Sequence, residues 1–582
     1  MKMNFRILLI VALVLIITSC SKTNKEGKFI PNNASMVLHV NGKSLTTKLP
    51  WNEIKQNLFF NEIYKDSSLS ANVKSIMNNP DSTGIDVNND LLFFVQKDST
   101  ESYIAFEGSI KNEQLFKTFN SKFIENGVQS EVNGVQFITK PSYCVGFTKD
   151  KFVYVFDAPQ MANSDALLKR MEQDSITVPA TKTTDVSAAC KAIFALKESN
   201  SLAKNERFSK LIKEDGDIHF WLNIEQLSQG ISTNKMMAMV NVDKFYKGNI
   251  MTATANFENG KIKIDAKNYM GDDLAGIFKK YSGGKVNEDM MKRMPGKDIV
   301  GVMAISFKPE MIREILKMMN LDGLANMGLT QLGFTMDDFI KANKGDILFG
   351  VSDIKLRTDN PKKNEDNDST SENRMPKFNF IFASSVNDKD AFNKLINAGK
   401  KFGEKQTGDS TNLQIAYNYN GTYFALANNK ENADKFINGP GTDFDFINKI
   451  KGESFGGYLN IQLLMKVFEK ESVTDSSTKK LYDASLKLWD NVLIKGGEMK
   501  DGAIIQKIEI NLMDKTTNSL KQLNQYTGVF SEAMRAKNEK EKEYLLQPMI
   551  IDSVANNPKV KYHFHHTISF LYNLFLIHIK NE

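Results

Sequence analysis

Short apolar runs that end in Asn or Ser occur at four places along the chain. Each run is followed at once by a segment whose apolar residues have helical spacing. The runs end at Asn41, Asn223, Ser306 and Asn460. Asn and Ser are favoured at helix N-caps because the side-chain oxygen accepts a hydrogen bond from a backbone N–H of the first turn. The pattern therefore predicts four strand-to-helix junctions of the same chemical kind.

The elements between these junctions recur in the same order in both halves of the chain. A strand, a strand leading into a helix, and a hairpin leading into a helix are predicted at 89–96, 103–119 and 132–159, and again at 345–352, 378–396 and 413–437. The second and fourth junctions lead to hairpins with an Asn-Gly or an Asp-Gly turn, at 251–269 and 495–513. Corresponding points lie about 240 to 270 residues apart, far beyond the roughly 20 to 50 residues of solenoid repeats. We predict a tandem duplication of one module.

The alternation of strands and helices predicts an α+β fold. We expect each module to have a mainly antiparallel sheet with helices packed on one face. The first α+β module is predicted at 29–284 and the second at 285–530, and residues 531–582 are predicted to form a C-terminal helix and an atypical His-rich tail.

Two segments differ in composition from the modules. Residues 357–375 have almost no apolar content and are predicted to be a disordered insertion. Their carboxylates suggest calcium, but the Gly and the closing Glu of a calcium loop are missing. The tail holds His563, His565, His566 and His578. Metal binding is one interpretation of this cluster, and an appendage unrelated to the core is the preferred one.

The N-terminus has the three parts of a lipoprotein signal peptide. Lys2 and Arg6 precede an apolar run at 7–17, and Ile-Thr-Ser-Cys follows at 17–20. The run is shorter than the roughly 20 residues that a membrane-spanning helix needs. We predict a signal peptide at 1–19, a tether at 20–28, and lipidation of Cys20.

Composition excludes some classes of protein. With 41% hydrophobic and 25% charged residues the chain resembles ordinary globular proteins. The formal net charge of +6 is small and evenly spread, which argues against nucleic acid as a partner. Besides Cys20 there are two cysteines, Cys144 and Cys190. They could form a disulfide in an oxidising compartment, but two buried thiols are the preferred interpretation.

Chemistry-bearing motifs are scarce. The sequence has no Gly-rich phosphate loop, H-E-x-x-H pair, G-x-S-x-G motif or paired CxxC, so we predict no catalytic, cofactor-binding or metal site. His39 and His219 lie in junction strands and could form a proton or metal pair. We interpret them as hydrogen-bonded strand residues. Trp221 is predicted to be buried, and Trp51 is a candidate for a contact surface.

Residues 29–51, FIPNNASMVLHVNGKSLTTKLPW, together with the Cys20 box, resemble an uncharacterised lipoprotein family of Bacteroidota known only as a domain of unknown function. The most specific part is I-P-x-x-A-x-x-V-x-x-x-N-x-K-S-L, and the resemblance extends to about Tyr526. It implies a lipoprotein in the envelope of a Gram-negative bacterium and provides no site residues. Ser21 after Cys20 favours the outer membrane, and the lack of an acidic run there favours the periplasmic side.

Three functions fit these observations. The leading hypothesis is a non-enzymatic binding or scaffolding lipoprotein, held on the membrane by palmitate or a similar acyl chain and contacting another envelope protein or glycan. The alternative is a hydrolase acting on envelope glycan, lipid or peptide, with Asp215, Asp217 and Asp346 as candidate groups. A lipid carrier is the third. A cleft with convergent carboxylates would favour the enzyme, a shallow apolar surface would favour binding, and a lipid carrier needs an enclosed cavity.

Overall fold

Eighteen strands in the described part of the chain join into one sheet. A computed structural model describes residues 26–65, 71–97, 102–158, 184–228, 241–355, 377–406, 415–467, 469, 473 and 476–546. The strands are β1 (Met36–Val40), β2 (Leu91–Lys97), β3 (Ser102–Ser109), β4 (Val128–Val132), β5 (Val135–Lys140), β6 (Tyr143–Phe147), β7 (Lys151–Asp157), β8 (Ile218–Asn223), β9 (Ile250–Glu258), β10 (Lys261–Tyr269), β11 (Ile299–Ser306), β12 (Asn343–Lys355), β13 (Lys377–Val386), β14 (Ala416–Tyr419), β15 (Tyr423–Ala427), β16 (Phe455–Asn460), β17 (Trp489–Lys500) and β18 (Ala503–Leu512).

Twenty α-helices lie in the same described residues. They are α1 (Gly42–Lys48), α2 (Trp51–Lys55), α3 (Leu58–Lys65), α4 (Ala71–Asn78), α5 (Glu113–Phe123), α6 (Val186–Phe194), α7 (Glu206–Ile212), α8 (Ile224–Ser228), α9 (Val242–Tyr246), α10 (Asp272–Tyr281), α11 (Glu288–Lys292), α12 (Glu310–Met318), α13 (Asp322–Gln331), α14 (Met336–Ala342), α15 (Lys389–Gln406), α16 (Lys430–Asn438), α17 (Asp445–Ile450), α18 (Ile461–Val467), α19 (Ser476–Leu488) and α20 (Ser519–Leu546). The predicted α+β class is confirmed.

Every neighbouring pair of strands in the sheet is antiparallel. The spatial order is β4-β5-β6-β7-β3-β2-β1-β8-β9-β10-β18-β17-β16-β11-β12-β13-β15-β14. From β6 inward to β10, the strands follow in the same sequence as from β14 inward to β18. The two halves thus share one strand topology, which matches the repeated order of elements in the sequence. Their origin by duplication stays a prediction.

The halves meet where β10 pairs with β18. Nine residue pairs form this seam, from Lys261 opposite Asn511 to Tyr269 opposite Ala503. One side of the seam is apolar, with Ile264 opposite Ile508. The predicted module boundary at 284/285 lies between α10 and α11, but the sheet itself continues from one half into the other. Among the described residues, those up to Ala533 form one compact unit, and those from Met534 onward belong to a second.

Alternate strand residues place the core on both sides of the sheet. We call the side that carries His39 and Val153 face A, and the side that carries Leu38 and Tyr154 face B. Face A packs against α6 in the first half and against α11, α16 and α17 in the second. Face B packs against α5 and α15 at the corresponding positions. We expected helices on one face only; they occupy both because the outer strands are apolar on both sides.

Three of the four predicted junctions are helix caps. The side-chain oxygens of Asn41, Asn223 and Asn460 each accept a backbone N–H three residues later, at 3.0, 3.2 and 2.9 Å. Ser306 differs: its hydroxyl donates to Asp346 at 2.9 Å, and α12 begins only at Glu310, after Pro309. A nearby carboxylate on β12 accepts the Ser306 hydroxyl, so that hydroxyl is not the cap of α12.

Several predicted features lie outside the described residues. These are the signal peptide, Cys20, the insertion at 357–375 and the His-rich tail. Within the described residues, no helix combines the length and apolar character needed to cross a membrane.

Candidate functional site

A buried polar cluster lies where β1 meets β8. The two histidines are directly opposite each other across the strands, and their Nδ1 atoms are 2.9 Å apart. His219 Nε2 is 2.9 Å from the backbone oxygen of Glu214, and His39 Nε2 is 3.4 Å from Asp90 Oδ1. Both rings are almost completely excluded from solvent. The structural interpretation of these residues, as hydrogen-bonded strand residues, is confirmed.

The partners of the two rings define their tautomers. A carbonyl oxygen can only accept, so His219 Nε2 carries a proton and donates to Glu214. Burial lowers the pKa of His219, which favours the neutral ring and leaves its Nδ1 as an acceptor. His39 Nδ1 must then be the donor between the rings. His39 Nε2, on the other side of the ring, faces Asp90 Oδ1 at 3.4 Å.

Two glutamates extend the cluster. The hydrogen bond from His39 lowers the pKa of Asp90, whereas burial, followed by the nearby Asp90, raises the pKa of Glu26. Burial also raises the pKa of Glu107 to about 7, and its Oε2 has no hydrogen-bond partner. The pKa values of the two neighbouring carboxyl groups, Glu26 and Asp90, are thus shifted in opposite directions. His39, His219 and Glu107 are buried, which favours a structural role, whereas Glu26 and Asp90 are partly exposed.

The corresponding cluster in the second half is almost apolar. When the matching strands of the two halves are aligned, His39 corresponds to Ala304 and His219 to Gly456. The residues of each pair lie opposite corresponding positions of the neighbouring strands. Asp90 corresponds to Asp346, which accepts hydrogen bonds from Ser306 and Asn287 at 2.9 and 3.3 Å. One carboxylate at this position is thus present in both halves, and the histidines are specific to the first. The four junctions alone do not reveal this difference.

The carboxylates predicted for a hydrolase are not brought together. Asp217 is fully buried and binds Lys48 Nζ at 2.5 Å, Ser44 Oγ at 2.5 Å and the backbone N–H of Phe257 at 2.6 Å. Asp215 is exposed beside it. Asp346 lies on β12, seven strand spacings from β8, which corresponds to about 34 Å. These three side chains cannot form one active site.

A second pair of carboxylates lines an open depression next to Asn460. Its lining residues include Asp298 and Asp445 together with Lys297, Lys466 and Tyr458. Its charges are therefore balanced. Among the described residues no group of three or more His, Cys, Asp or Glu side chains is arranged to hold a metal ion.

The cysteines and tryptophans have distinct surroundings. Cys144 and Cys190 are both buried and free, and each thiol is a hydrogen-bond neighbour of the other. Trp221 is buried against Phe208, with the ring centroids 5.7 Å apart. Trp51 is 36% exposed and meets Phe60 edge-on.

An exposed apolar surface covers part of face B in the second half. Met303 on β11 lies opposite Phe349 on β12, with exposed fractions of 47% and 42%. Phe378 and Leu459 extend this surface along β13 and β16. We call these four residues the sheet patch. The glycines opposite Met303 and Leu459, Gly457 and Gly301, have no side chain to cover them. Alternating Phe residues in FNFIF, 378–382, were a signal for it that the sequence analysis missed.

Comparisons with known proteins identify a family but no function. The sequence profile of a domain of unknown function, DUF4836, matches residues 27–426. This match ends about 100 residues before the Tyr526 expected from the resemblance. No curated protein matches the chain.

Solved structures give only distant similarity. Crystal form III of TP0453 is 11% identical, with 43% of this chain and 82% of that chain covered and a TM-score of 0.23. Crystal form I of TP0453 is 10% identical, with 42% and 78% covered and a TM-score of 0.20. TM-scores of this size do not establish a shared fold. The family match covers more than half of the sequence, and the chain therefore belongs to the DUF4836 family of domains of unknown function.

Proposed function

We propose that this protein is an outer-membrane lipoprotein of a Gram-negative bacterium, anchored by acylated Cys20, whose folded part binds or scaffolds another envelope protein without catalysis. The sheet patch is the observation that supports it. Large exposed apolar side chains that lie together are uncommon on isolated proteins and mark contact surfaces. Phe349 and Met303 lie opposite each other in the patch, and both Phe and Met are enriched in the cores of protein interfaces.

The anchor is supported by the sequence alone. Positive residues, an apolar run and a small-residue box before Cys20 form the pattern that precedes lipidation. Labelled palmitate should enter the wild-type chain and fail to enter Cys20→Ala. Equal labelling of the two chains would contradict the anchor.

The contact surface is tested by crosslinking in cells. A photoreactive amino acid at Phe349 should capture one reproducible envelope protein, and the additional substitution Met303→Lys should reduce that capture at least tenfold. The control position is Val128, which is 72% exposed on β4. If Val128 captures the same protein as strongly as Phe349, or if Met303→Lys has no effect, the sheet patch is not the contact surface.

The depression next to Asn460 keeps the hydrolase as a second candidate. Asp298 and Asp445 both line it, and paired carboxylates can act as general acid and base. The purified chain should then hydrolyse envelope glycan, lipid or peptide, and Asp298→Asn should abolish the activity. Equal rates for Asp298→Asn and the wild-type chain would exclude this site.

A further inference from the structure

Helices α2 and α3 carry a second exposed apolar surface, separate from the sheet patch. Trp51, Leu58, Phe59 and Ile63 are 36%, 50%, 45% and 38% exposed. We call these four residues the helical ridge. Phe59 and Ile63 are four residues apart and are therefore neighbours on α3, and Leu58 is the first residue of the same helix.

The ridge is held firmly from behind. Phe60 and Tyr64 of α3 stack with their centroids 6.4 Å apart, and Trp51 meets Phe60 edge-on at 5.6 Å. Asn57 at the start of α3 donates to Asn524 of α20 at 2.8 Å. Glu53 of α2 binds Lys521 of the same helix at 2.8 Å. The apolar side chains therefore project from a fixed base.

The tether enters at the same end of the sheet. Glu26, near the start of the described chain, hydrogen-bonds to Asp90, which directly precedes β2. The adjacent end of β1 leads into α1, and Lys48 of α1 binds Asp217 next to β8. Helix α20, which supports the ridge from behind, lies at this end of the sheet as well. Asn518, directly before α20, donates to the Phe257 backbone oxygen near the end of β9.

Chain length limits the distance between the anchor and the ridge. Residues 20–25 reach at most about 20 Å when fully extended. Helix α1 is about 10 Å long, so Trp51 lies close to the strand end where Glu26 is bound. A bilayer that holds acylated Cys20 is thus within reach of the ridge.

We propose that the helical ridge inserts into the interfacial region of the membrane that holds Cys20. Side chains such as Trp, Phe and Leu on one face of a helix are typical of helices that lie in the interface, and Trp favours the headgroup level. The anchor alone would let the protein rotate freely, whereas insertion of the ridge fixes this end of the sheet towards the bilayer. The proposal rests on the membrane anchoring proposed above.

The test uses the chain from Ser21 onward, which has neither the signal peptide nor the acylated cysteine. Vesicles of phosphatidylethanolamine and phosphatidylglycerol should bind it in a flotation assay. The double substitution Leu58→Ser and Phe59→Ser should lower the partition coefficient at least tenfold. The matched control is Leu324→Ser with Met327→Ser on α13. These residues are 59% and 58% exposed, more than Leu58 and Phe59, but they follow β11 at the opposite end of the strands. All variants share the His-rich tail, so any contribution of the tail to vesicle binding cancels.

A second measurement observes the wild-type ridge directly. The fluorescence of Trp51 should shift to the blue with vesicles and be quenched by brominated acyl chains, and Trp51→Phe should remove both changes. Equal binding by the ridge and control variants, no quenching, or a photoreactive group at Phe59 that captures protein instead of lipid would overturn the proposal. Because the test chain lacks Cys20, a failure of palmitate labelling would be a separate result.

Discussion

Corresponding positions in the two halves carry different side chains at the centre of face A. His39 and His219 fill these positions in the first half, and Ala304 and Gly456 in the second. Small residues need no polar partner, whereas each buried imidazole needs partners for both nitrogens. Those partners are Asp90 and the Glu214 backbone oxygen. Buried polar contacts at the centre of face A are therefore a feature of the first half.

Replacement of His39 by Leu should destabilise the chain. Asp90 would lose its imidazole partner, and because its side chain is about one third exposed, we expect a decrease of about 1 to 2 kcal/mol in the free energy of unfolding. Urea unfolding of His39→Leu, Asp90→Asn and the double variant forms a double-mutant cycle. Strictly additive effects would show that His39 and Asp90 do not interact.

Glu107 should make stability depend on pH. Burial raises its pKa from 4.5 in the unfolded chain to about 7, so its contribution is complete below pH 4.5 and is lost as the pH rises through 7. Lys151 and Glu26 are the charged groups that act on it. As the pH rises from 4.5 to 8, the free energy of unfolding of Glu107→Gln should increase by about 3 kcal/mol relative to that of the wild type.

Urea unfolding at several pH values measures this difference. The control is Glu131→Gln on exposed β4, whose stability curve should run parallel to the wild-type curve. A parallel curve for Glu107→Gln as well would contradict the prediction.

Among the features of the secondary structure, the sequence predicted the N-termini of helices best. Asn41, Asn223 and Asn460 are caps because each contact is local, three residues along the chain. Ser306 instead binds Asp346, forty residues away. A local pattern cannot reveal such a competing partner.

The cap at Asn460 gives a prediction at the scale of elements. Asn460→Ala should lower the free energy of unfolding by about 1 kcal/mol, because the N–H of Leu463 loses its acceptor. Asn460→Asp keeps an acceptor oxygen and should change stability by a few tenths of a kcal/mol at most. Thermal unfolding of both variants checks this, and an equal loss in the two would show that the cap is not the cause.

At the scale of the whole molecule, the seam between β10 and β18 joins the halves into one sheet. We expect the described core to unfold in a single transition, with Trp221 and Trp489 reporting on the two halves. Ile508→Pro should lower the midpoint of unfolding and separate the transitions that Trp221 and Trp489 report. The reason is that proline removes a ladder hydrogen bond inside a central strand.

The measurement is tryptophan fluorescence during unfolding, in two variants that retain either Trp221 or Trp489. Ile508→Val conserves the strand and should keep one common midpoint. Coincident transitions in Ile508→Pro would mean that the seam does not couple the halves.

The sequence by itself determined the α+β class, the repeated order of elements, three helix caps and the family, because these depend on local periodicity, short contacts and motif. Only the tertiary structure decided that both halves share one sheet and that helices cover both faces. The same holds for the partners of the two histidines and for the position of the sheet patch. Each of these features depends on contacts between residues far apart in the chain. For example, β10 pairs with β18 because the two strands have matching apolar faces, and the pattern within either strand alone cannot specify that partner.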